Sequence, residues 1–578
     1  MSHRWSSCVS VLLVLAASFS QSVNSAAAAD RPNIVLIITD DQGYGDLGCH
    51  GNPDVHTPHL DAFAKQSVHL KQFYVCPVCA PTRSALLTGR YNYRTGVTDT
   101  YLGRAMMRPE EVTLAEHLGR AGYATGIFGK WHLGDNAPLR AMDQGFQESL
   151  VLKGGGIGQP SDPPGGESYF DPLLLHNGKL EKTKGYCSNV YTDAAMQFIE
   201  ARQDKPFFVY LAFNAPHAPL EVPEEDLAQY RGKPLTAEAT QGKVDPEVTA
   251  RVYAMVSNID DNLGRLFAKL DALKLAENTI LIFLTDNGPQ QPRYTAGLRG
   301  LKGSTYDGGT RVPFYVRWPG HFPAGAIDMV AAHIDVVPTL LAAAGVEATG
   351  QATDGRSLLP LLQGEKPTKE SWPERTIFTQ WHRGDTPDLY RCFSARSAEW
   401  KLVQMQGTRP GPFKDEPRFE LFHMASDPLE KQDLAASRPE ILQQLKQQYE
   451  AWFRDVTAAG FAPPRIHVGD ARENPVLLTR QDWRGAAAGW SPKDVGHWEI
   501  ETLTAGDYSV TVHAASGERR PVRLEWGGQQ ATAQLEAGTT HVTLNVAAPS
   551  GPARIQATIG DAAKTEGPKF LEVRLTKE

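Results

Sequence analysis

Four apolar segments between residues 30 and 373 have the pattern of buried β-strands. They are Asn33–Thr39, 123–128, 206–213 and Thr279–Thr285. The first, third and fourth are continuously apolar, which is typical of strands covered on both faces. Helical patterns lie between them, as at 111–118 and 249–273. The alternation predicts an α/β fold in which helices sandwich a large mixed, mostly parallel sheet.

Three segments with different composition follow this α/β domain, 30–373. Residues 374–461 combine short β-type runs with a helical pattern at Pro439–Val456, which predicts a small α+β subdomain. Residues 462–475 are polar and rich in proline, as linkers are. Residues 476–578 consist of short alternating runs, most of them separated by glycine-containing turns. That texture predicts an appended β-sandwich.

The first 29 residues have the pattern of a cleaved export signal. Arg4 supplies positive charge, residues 9–19 are apolar, and small residues follow from Ser25. The alternative is a membrane anchor, but the apolar run is shorter than the ~20 residues needed to span a bilayer. We therefore expect an exported protein, periplasmic or secreted, with no membrane span after signal cleavage. Five of the six cysteines would remain, an odd number for an exported chain.

The charge of the chain excludes one class of partner. With 58 basic and 66 acidic residues the formal net charge is −8. Nucleic-acid-binding proteins usually carry a basic patch or a high pI, so we expect no nucleic-acid partner. An anionic substrate would need a local basic pocket, because the overall field does not attract it.

Polar residues follow each of the four predicted strands. They are Asp40 and Asp41, Lys130 and His132, His217, and Asp286 and Asn287. Ligands of open α/β sheets bind beyond the carboxyl ends of the strands, so these residues are expected to converge. The carboxylate and amide oxygens suit Ca²⁺ or Mg²⁺ rather than zinc or copper. The alternative for each acidic pair is turn formation or helix capping.

Cys79 begins the segment Cys79-Ala-Pro-Thr-Arg83. Pro81 favours the first turn of a helix, so Cys79 would lie at a helix N-terminus, where free N–H groups attract anions. Arg83, about one turn further on, can reach the same point. Two alternatives stay open: Cys76 and Cys79 form a CxxC pair as in redox sites, or Cys79 is a buried thiol.

These motifs together resemble those of the formylglycine-dependent, or type I, sulfatases of the alkaline phosphatase superfamily. The resemblance extends from Arg31 to about Leu434. Its motifs are ITDDQGYGDLGCHGN, CAPTRSALLTGR, GKWHLG, NAPHAPL, TDNGP and LRGLKGSTYDGGTRVPFYVRWPG. Six motifs in order are far more specific than any one of them. A further serine or acidic contact of the family, in a region of substrate recognition, has no match around residues 145–162.

The resemblance implies a role for each matching residue. Cys79 would be converted to Cα-formylglycine by a formylglycine-generating or anaerobic maturation enzyme. The implied ligands of the cation, usually Ca²⁺ with Mg²⁺ as the alternative, are Asp40, Asp41, the converted Cys79, Asp286 and Asn287. Arg83 and Lys130 would hold the aldehyde hydrate, and His132 would assist release of sulfate from it. His217 and Lys302 would bind the sulfate group and help to protonate the leaving oxygen.

The resemblance implies hydrolysis of sulfate esters of the arylsulfatase type, on a sulfated carbohydrate or an aryl sulfate. Two other functions stay open: phosphonate monoester or phosphodiester hydrolysis on the same scaffold, and glycan binding by an inactive homologue. Tryptophans of the predicted sandwich could stack on sugars or fill its core. They are Trp483, Trp490, Trp498 and Trp526.

Overall fold

The structure, a computed structural model, describes residues 31–162, 165–236, 241–561 and 564–577. The predicted signal peptide, 1–29, lies outside this part of the chain. Within it, no helix combines the length and the apolar character needed to cross a membrane.

A ten-stranded mixed sheet forms the centre of the first unit, in the order β10-β2-β9-β8-β1-β7-β3-β4-β5-β6. The strands are β1 (Asn33–Thr39), β2 (Val68–Tyr74), β3 (Ala124–Lys130), β4 (Glu148–Leu152), β5 (Leu173–His176), β6 (Lys179–Lys182), β7 (Phe207–Ala212), β8 (Thr279–Thr285), β9 (Phe314–Arg317) and β10 (Gly325–Ala332). The run β8-β1-β7-β3-β4 is parallel throughout. The predicted α/β fold is confirmed.

Helices cover both faces of this sheet. They are α1 (Pro58–Lys65), α2 (Cys79–Thr88), α3 (Leu114–Arg120), α4 (Cys187–Ala201), α5 (Glu224–Ala228), α6 (Pro246–Ala272), α7 (Asp307–Thr310), α8 (Val336–Ala344) and α9 (Leu359–Leu362). Strand β1 shows why both faces are apolar: Ile34 and Leu36 pack in one core, and Val35 and Ile37 in the other. Alternate side chains of a strand point to opposite faces, so a strand covered twice is apolar at every position.

The parallel strands fix where the functional residues lie. Neighbours β8, β1, β7 and β3 run in one direction, so their carboxyl ends meet at one edge of the sheet. The predicted strand at 123–128 is Ala124–Lys130 in the structure, which makes Lys130 the last residue of β3. The predicted helix 249–273 begins earlier, at Pro246, where Asp245 caps it by accepting from the N–H groups of Glu247 and Val248.

The second unit is a four-stranded antiparallel sheet packed on a long helix. It contains β11 (Ile377–Gln380), β12 (Phe393–Arg396), β13 (Trp400–Gln404), β14 (Glu420–His423) and α10 (Pro439–Val456). Tyr449 and Trp452 of α10 pack with Phe393 and Leu402 of the sheet, and Tyr74 and Tyr91 of the first unit complete the same core.

A buried ion cluster joins this second unit to the segment that follows Lys302. The Lys401 ammonium of β13 lies 2.6 Å from an Asp307 carboxylate oxygen and 2.8 Å from one of Glu430. The backbone N–H of Asp307 donates to Glu430 as well. All three charged side chains are buried, so each depends on its partners for compensation.

Lys401→Met is expected to lower stability by about 3–5 kcal/mol, because it leaves the buried Glu430 carboxylate without a cation and Asp307 with only the more distant Arg311, at 3.8 Å. Denaturant unfolding of the purified variant measures the effect. Lys431→Met, at an exposed lysine, is the control and should change stability by no more than about 0.5 kcal/mol. Equal unfolding midpoints for the two variants would contradict the cluster's role.

The third unit is a β-sandwich of a five-stranded and a four-stranded sheet. The first has the order β15-β17-β22-β19-β20 and the second β16-β23-β18-β21. Their strands are β15 (Ile466–Val468), β16 (Val476–Thr479), β17 (Trp498–Thr502), β18 (Gly506–His513), β19 (Arg520–Trp526), β20 (Gln529–Leu535), β21 (His541–Ala548), β22 (Gly551–Ile559) and β23 (Phe570–Lys577).

The segment 462–475 differs from the predicted linker. It contains β15, which pairs in parallel with β17 and brings Ile466 and Val468 into the sandwich core. Glu473 in the same segment accepts hydrogen bonds from Asn136 and from the N–H of Ala137. Two apolar residues at alternate positions are enough for an edge strand here. The predicted limits of the three units stay a prediction.

The tryptophans of the sandwich are mostly core residues. Trp483, Trp498 and Trp526 are at most 1% exposed, so they cannot stack on a sugar at the surface. Trp490 is half-buried against Tyr101. The sandwich core also contains Leu102, Met106 and Leu139 of the first unit. The two units therefore share one apolar core across their junction.

Candidate active site

The acidic residues that follow β1 and β8 converge at the edge of the sheet. Ligand atoms of Asp40, Asp41, Cys79 and Asp286 all lie within 4.8 Å of one another, and these residues are buried. Asn287 joins them by donating from Nδ2 to Asp41 Oδ1 at 2.8 Å. The described ranges contain one other group of possible metal ligands that lie as close together. It consists of His59, Asp260 and Asp261, of which only Asp260 is buried.

This set of side chains fits a divalent cation. Asp41 Oδ2 and Asn287 Oδ1 are buried without a hydrogen-bond partner, which is costly unless another group satisfies them. Three buried carboxylates at this separation also repel one another. A hard cation with oxygen ligands would satisfy the free oxygens and offset the charge.

The carboxylates have unequal pKa values. Burial and the charge of Asp40 raise the pKa of Asp286 to about 7. Burial would also raise the pKa of Asp40, but Lys130, followed by His217 and Lys302, holds it well below the ordinary value. A positive charge added at this point would favour the ionised form of Asp286.

Cys79 lies at the first position of α2, where its Sγ is 3.4 Å from Asp40 Oδ1. Burial, and then the charge of Asp40, raise the pKa of the thiol to about 12. Cys76 points elsewhere: its Sγ lies 3.4 Å from His333 Nε2, and burial raises its pKa as well. Cys76 and Cys79 thus face different partners, and their raised pKa values are opposite to the lowered values of reactive redox thiols. The cysteines among the described residues are free.

Two buried basic residues pair with the carboxylates next to Cys79. Arg83 is completely buried and donates from Nε and Nη2 to Asp286 Oδ2, at 3.1 and 2.8 Å. Its Nη1 donates to the carbonyl of Lys130. The Lys130 ammonium lies 2.5 Å from Asp40 Oδ2. The carboxylates and these cations thus hold one another in place around Sγ.

Lys302 and His217 lie next to Asp41, in a more exposed part of the site. Lys302 Nζ is 2.6 Å from Asp41 Oδ1, and its side chain is 16% exposed. Burial disfavours the ammonium form, but Asp41 outweighs it and raises the pKa of Lys302. His217 Nε2 lies 3.8 Å from Asp41 Oδ2, and its Nδ1 is 2.6 Å from the Ala218 carbonyl. Burial and Lys302 lower the pKa of His217.

His132 is fixed by a backbone carbonyl. Its Nε2 lies 2.6 Å from the Thr100 oxygen, so that nitrogen carries a proton and donates. Nδ1 is buried without a partner and is left as an acceptor. Burial, and then Lys130, hold the pKa of His132 well below its ordinary value, which favours the neutral ring.

A glycine run outside the six sequence motifs lies against both histidines. A Cβ on Gly155 would be 2.5 Å from His132 Nε2, and one on Gly156 would be 3.3 Å from His217 Nδ1. The run Gly154-Gly155-Gly156 is visible in the sequence and could have indicated a close approach of the backbone. No residue type in the sequence indicates the role of the Thr100 carbonyl, because every residue has a backbone acceptor.

The structure therefore brings together every residue expected at the site. They are Asp40, Asp41, Cys79, Arg83, Lys130, His132, His217, Asp286, Asn287 and Lys302. Together they could hold a cation, a nucleophile at position 79 and an anionic group between two lysines.

Family models match two overlapping parts of the chain. The model described as Sulfatase matches residues 32–346. The model described as N-sulphoglucosamine sulphohydrolase, C-terminal, matches residues 302–455. The sandwich strands β15 to β23 lie beyond both matches.

Curated relatives and solved structures also resemble this chain. Arylsulfatase A of Homo sapiens is 32% identical over 519 residues, covering 81% of this chain and 95% of that relative. N-acetylgalactosamine-6-sulfatase of Sus scrofa is 34% identical over 411 residues, covering 65% of this chain and 72% of that relative. The structure of Ps i-CgsB in complex with k-i-k-neocarrahexaose is 29% identical with a TM-score of 0.63, covering 75% of this chain and 95% of that one.

Proposed function

The chain belongs to the sulfatase family and is a sulfuric ester hydrolase, and from this premise we propose that it acts through an aldehyde hydrate made from Cys79 beside a bound divalent cation. One observation carries the proposal. Cys79 lies at a helix N-terminus inside a buried cluster of carboxylates, two of which pair with Lys130 and Lys302. A structural thiol has no need of such surroundings.

The aldehyde would supply, as its hydrate, one hydroxyl that attacks sulfur and a second whose loss of a proton expels sulfate. The position of Cys79 Sγ stands for those hydroxyl oxygens. Lys130 and Arg83 hold positive charge behind this position and stabilise the oxygen that attacks. The free N–H groups at the start of α2 add to that field.

Asp40, Asp41, Asp286 and Asn287 would hold the cation, and their oxygens suit Ca²⁺ or Mg²⁺. We propose Ca²⁺, the ion that the family resemblance implies. When bound, the cation supplies positive charge for the sulfuryl oxygens. Asp286 also fixes Arg83, so one carboxylate orders both the metal site and the guanidinium.

Lys302 and His217 would bind the sulfate group and serve the leaving oxygen. An alkoxide is a poor leaving group unless it is protonated as the bond breaks. The raised pKa of Lys302 keeps it as an ammonium that can donate. His217 donates its Nδ1–H to the Ala218 carbonyl, so Nε2 faces the site. In the neutral ring Nε2 accepts, and it can give a proton to the leaving oxygen only after the ring is protonated.

His132 would accept the proton that must be lost for sulfate to leave. Donation from Nε2 to the Thr100 carbonyl leaves the lone pair on Nδ1. The lowered pKa of His132 keeps the ring neutral, the form that can act as a base. The Thr100 carbonyl therefore selects the useful tautomer.

Gly155→Ala is expected to lower kcat on an aryl sulfate by about 100-fold, because the added Cβ would lie 2.5 Å from His132 Nε2 and displace the ring. The backbone at Gly155 is not left-handed, so alanine fits its conformation. Gly119→Ala, with only ordinary contacts near 3.9 Å, is the matched control and should keep full activity. Equal kcat values for both variants would contradict the close approach.

We propose a sulfated carbohydrate as the natural substrate, and an exported protein matured by a formylglycine-generating or anaerobic enzyme. The names of the relatives support the substrate class: one is an N-acetylgalactosamine-6-sulfatase, and one solved structure contains neocarrahexaose. Residues 1–29 support export through their basic start and apolar run.

Parallel assays on an aryl sulfate and an aryl phosphodiester test the reaction class. We expect kcat/KM to favour the sulfate, and a preference for the diester would overturn the proposal. Release of sulfate from a panel of sulfated galactose and N-acetylgalactosamine oligosaccharides tests the substrate class. Turnover of aryl sulfate with none of the panel desulfated would contradict a carbohydrate substrate of this kind.

A further inference from the structure

We propose that the C-terminal β-sandwich is part of the catalytic apparatus, and that Gln481 is a positioning residue that holds the Thr100 carbonyl against His132. The proposal rests on the role proposed above for His132. Gln481 is 2% exposed and lies just after β16 of the sandwich. Its Nε2 donates to the Thr100 oxygen at 2.9 Å.

The Thr100 oxygen thus accepts from two side chains that are far apart in the sequence. His132 Nε2 donates at 2.6 Å and Gln481 Nε2 at 2.9 Å. A carbonyl has two lone pairs, so it can serve both donors at once. The second donor fixes the direction in which the carbonyl points, and with it the direction of the imidazole.

The backbone turn that carries this carbonyl is held by the sandwich. The N–H of Gly103 donates to the Gln481 carbonyl at 2.8 Å, and the Gly103 carbonyl accepts from Arg484 Nη2. Leu102 extends into the sandwich core. Tyr101 packs edge-on against Trp490, with 5.0 Å between ring centroids. The turn at residues 100–103 is therefore anchored to the third unit by backbone and side-chain contacts.

Gln481 also borders the glycine run next to both histidines. A Cβ on Gly154 would lie 3.9 Å from Gln481 Cγ and Oε1. The side chain thus fills the space between the Thr100 turn and the loop that contacts His132. Because both family models end by residue 455, this contact comes from a part of the chain that the models do not include.

The expected effect is on the step in which sulfate leaves. Gln481→Met keeps the length and volume of the side chain but removes the N–H donor. We expect kcat on an aryl sulfate to fall by about 10- to 100-fold, as for other residues that orient a functional imidazole, with KM changed by less than about threefold. Rapid-mixing assays should show a burst of one phenol per active site followed by slow turnover.

A matched control separates positioning from simple docking. Glu473 also joins the third unit to the first, but it accepts from Asn136 and from the N–H of Ala137 rather than from the Thr100 turn. Glu473→Met should therefore lower thermal stability while kcat stays within about threefold of the parent enzyme. Equal losses of kcat in both variants would mean that docking alone matters, and would overturn the proposal.

A double-mutant cycle with His132→Ala decides the question. If Gln481 acts through His132, Gln481→Met should change kcat by less than about threefold once His132 is absent. Additive losses would overturn the role of Gln481, whereas full activity of His132→Ala would overturn the function proposed for His132. Gln481→Leu serves the same cycle if the methionine variant does not fold.

Discussion

Cys79→Ala is expected to lower kcat on an aryl sulfate by about 10⁴-fold or more, because it removes the residue from which we propose that the nucleophile is made. The substitution removes only one small side chain, so stability should change by about 1 kcal/mol. Steady-state kinetics and thermal unfolding of the same preparation measure both effects. Loss of activity through global unfolding would instead favour a structural thiol.

Cys76→Ala is the matched control for this prediction. Cys76 is also buried and belongs to the same CxxC, but its Sγ faces Asn92 and His333 rather than the carboxylates. We expect this variant to keep most of its activity. Comparable losses in both variants would restore the dithiol alternative, since a redox pair needs both sulfurs.

Asp41→Asn is expected to lower kcat/KM by about 10³-fold at a fixed Ca²⁺ concentration, because a metal ion contributes several kcal/mol to the transition state. The replacement fits the backbone, since Asp41 has φ = 62° and asparagine tolerates this left-handed conformation. It removes the charge that pairs with Lys302 and one of the two buried oxygens without a partner. The loss therefore reports on the cation site rather than on the fold.

Activity titrated with Ca²⁺ and with Mg²⁺ after chelation measures this effect. The parent enzyme should regain activity at a lower concentration of Ca²⁺ than of Mg²⁺, and Asp41→Asn should need far more of either ion. Asp261→Asn is the control, because Asp261 is an exposed member of the other acidic group. An unchanged cation requirement in Asp41→Asn would contradict the ligand assignment.

The residues that follow the strands were predictable for a geometric reason. Parallel strands end at one edge, so Asp40 after β1 and Asp286 after β8 were expected at the same edge, and the direct pairing of β1 with β8 brings them together. Arg83 could be inferred from the helical spacing after Cys79. Lys302 lies outside any helix or strand, and only the family resemblance indicated its place.

The sequence did not reveal the contacts that depend on distant segments. Thr100 acts through a backbone carbonyl, and Gln481 reaches it across 381 positions of sequence, beyond the reach of any local pattern. Strand β15 has only three residues in a proline-rich segment, too few to show an alternating pattern. Its pairing with β17 comes from the tertiary packing of the sandwich.

The same limit applies to the tryptophans of the third unit. Their sequence positions fit either a sugar-stacking surface or a core. Trp498 lies at the start of a strand, and the sequence does not show which face of that strand is inward. Packing against Trp483, with 5.7 Å between ring centroids, places it in the core. Burial of this kind depends on the register of both sheets.

Mass spectrometry of the tryptic peptide 72–83 from the native host tests the central proposal most directly. The peptide contains both Cys76 and Cys79, so it carries its own control. We predict a mass about 18 Da below that of the unmodified peptide, with the change at position 79 and a thiol at position 76 that can be alkylated. Two alkylatable thiols in the active enzyme would contradict the aldehyde mechanism.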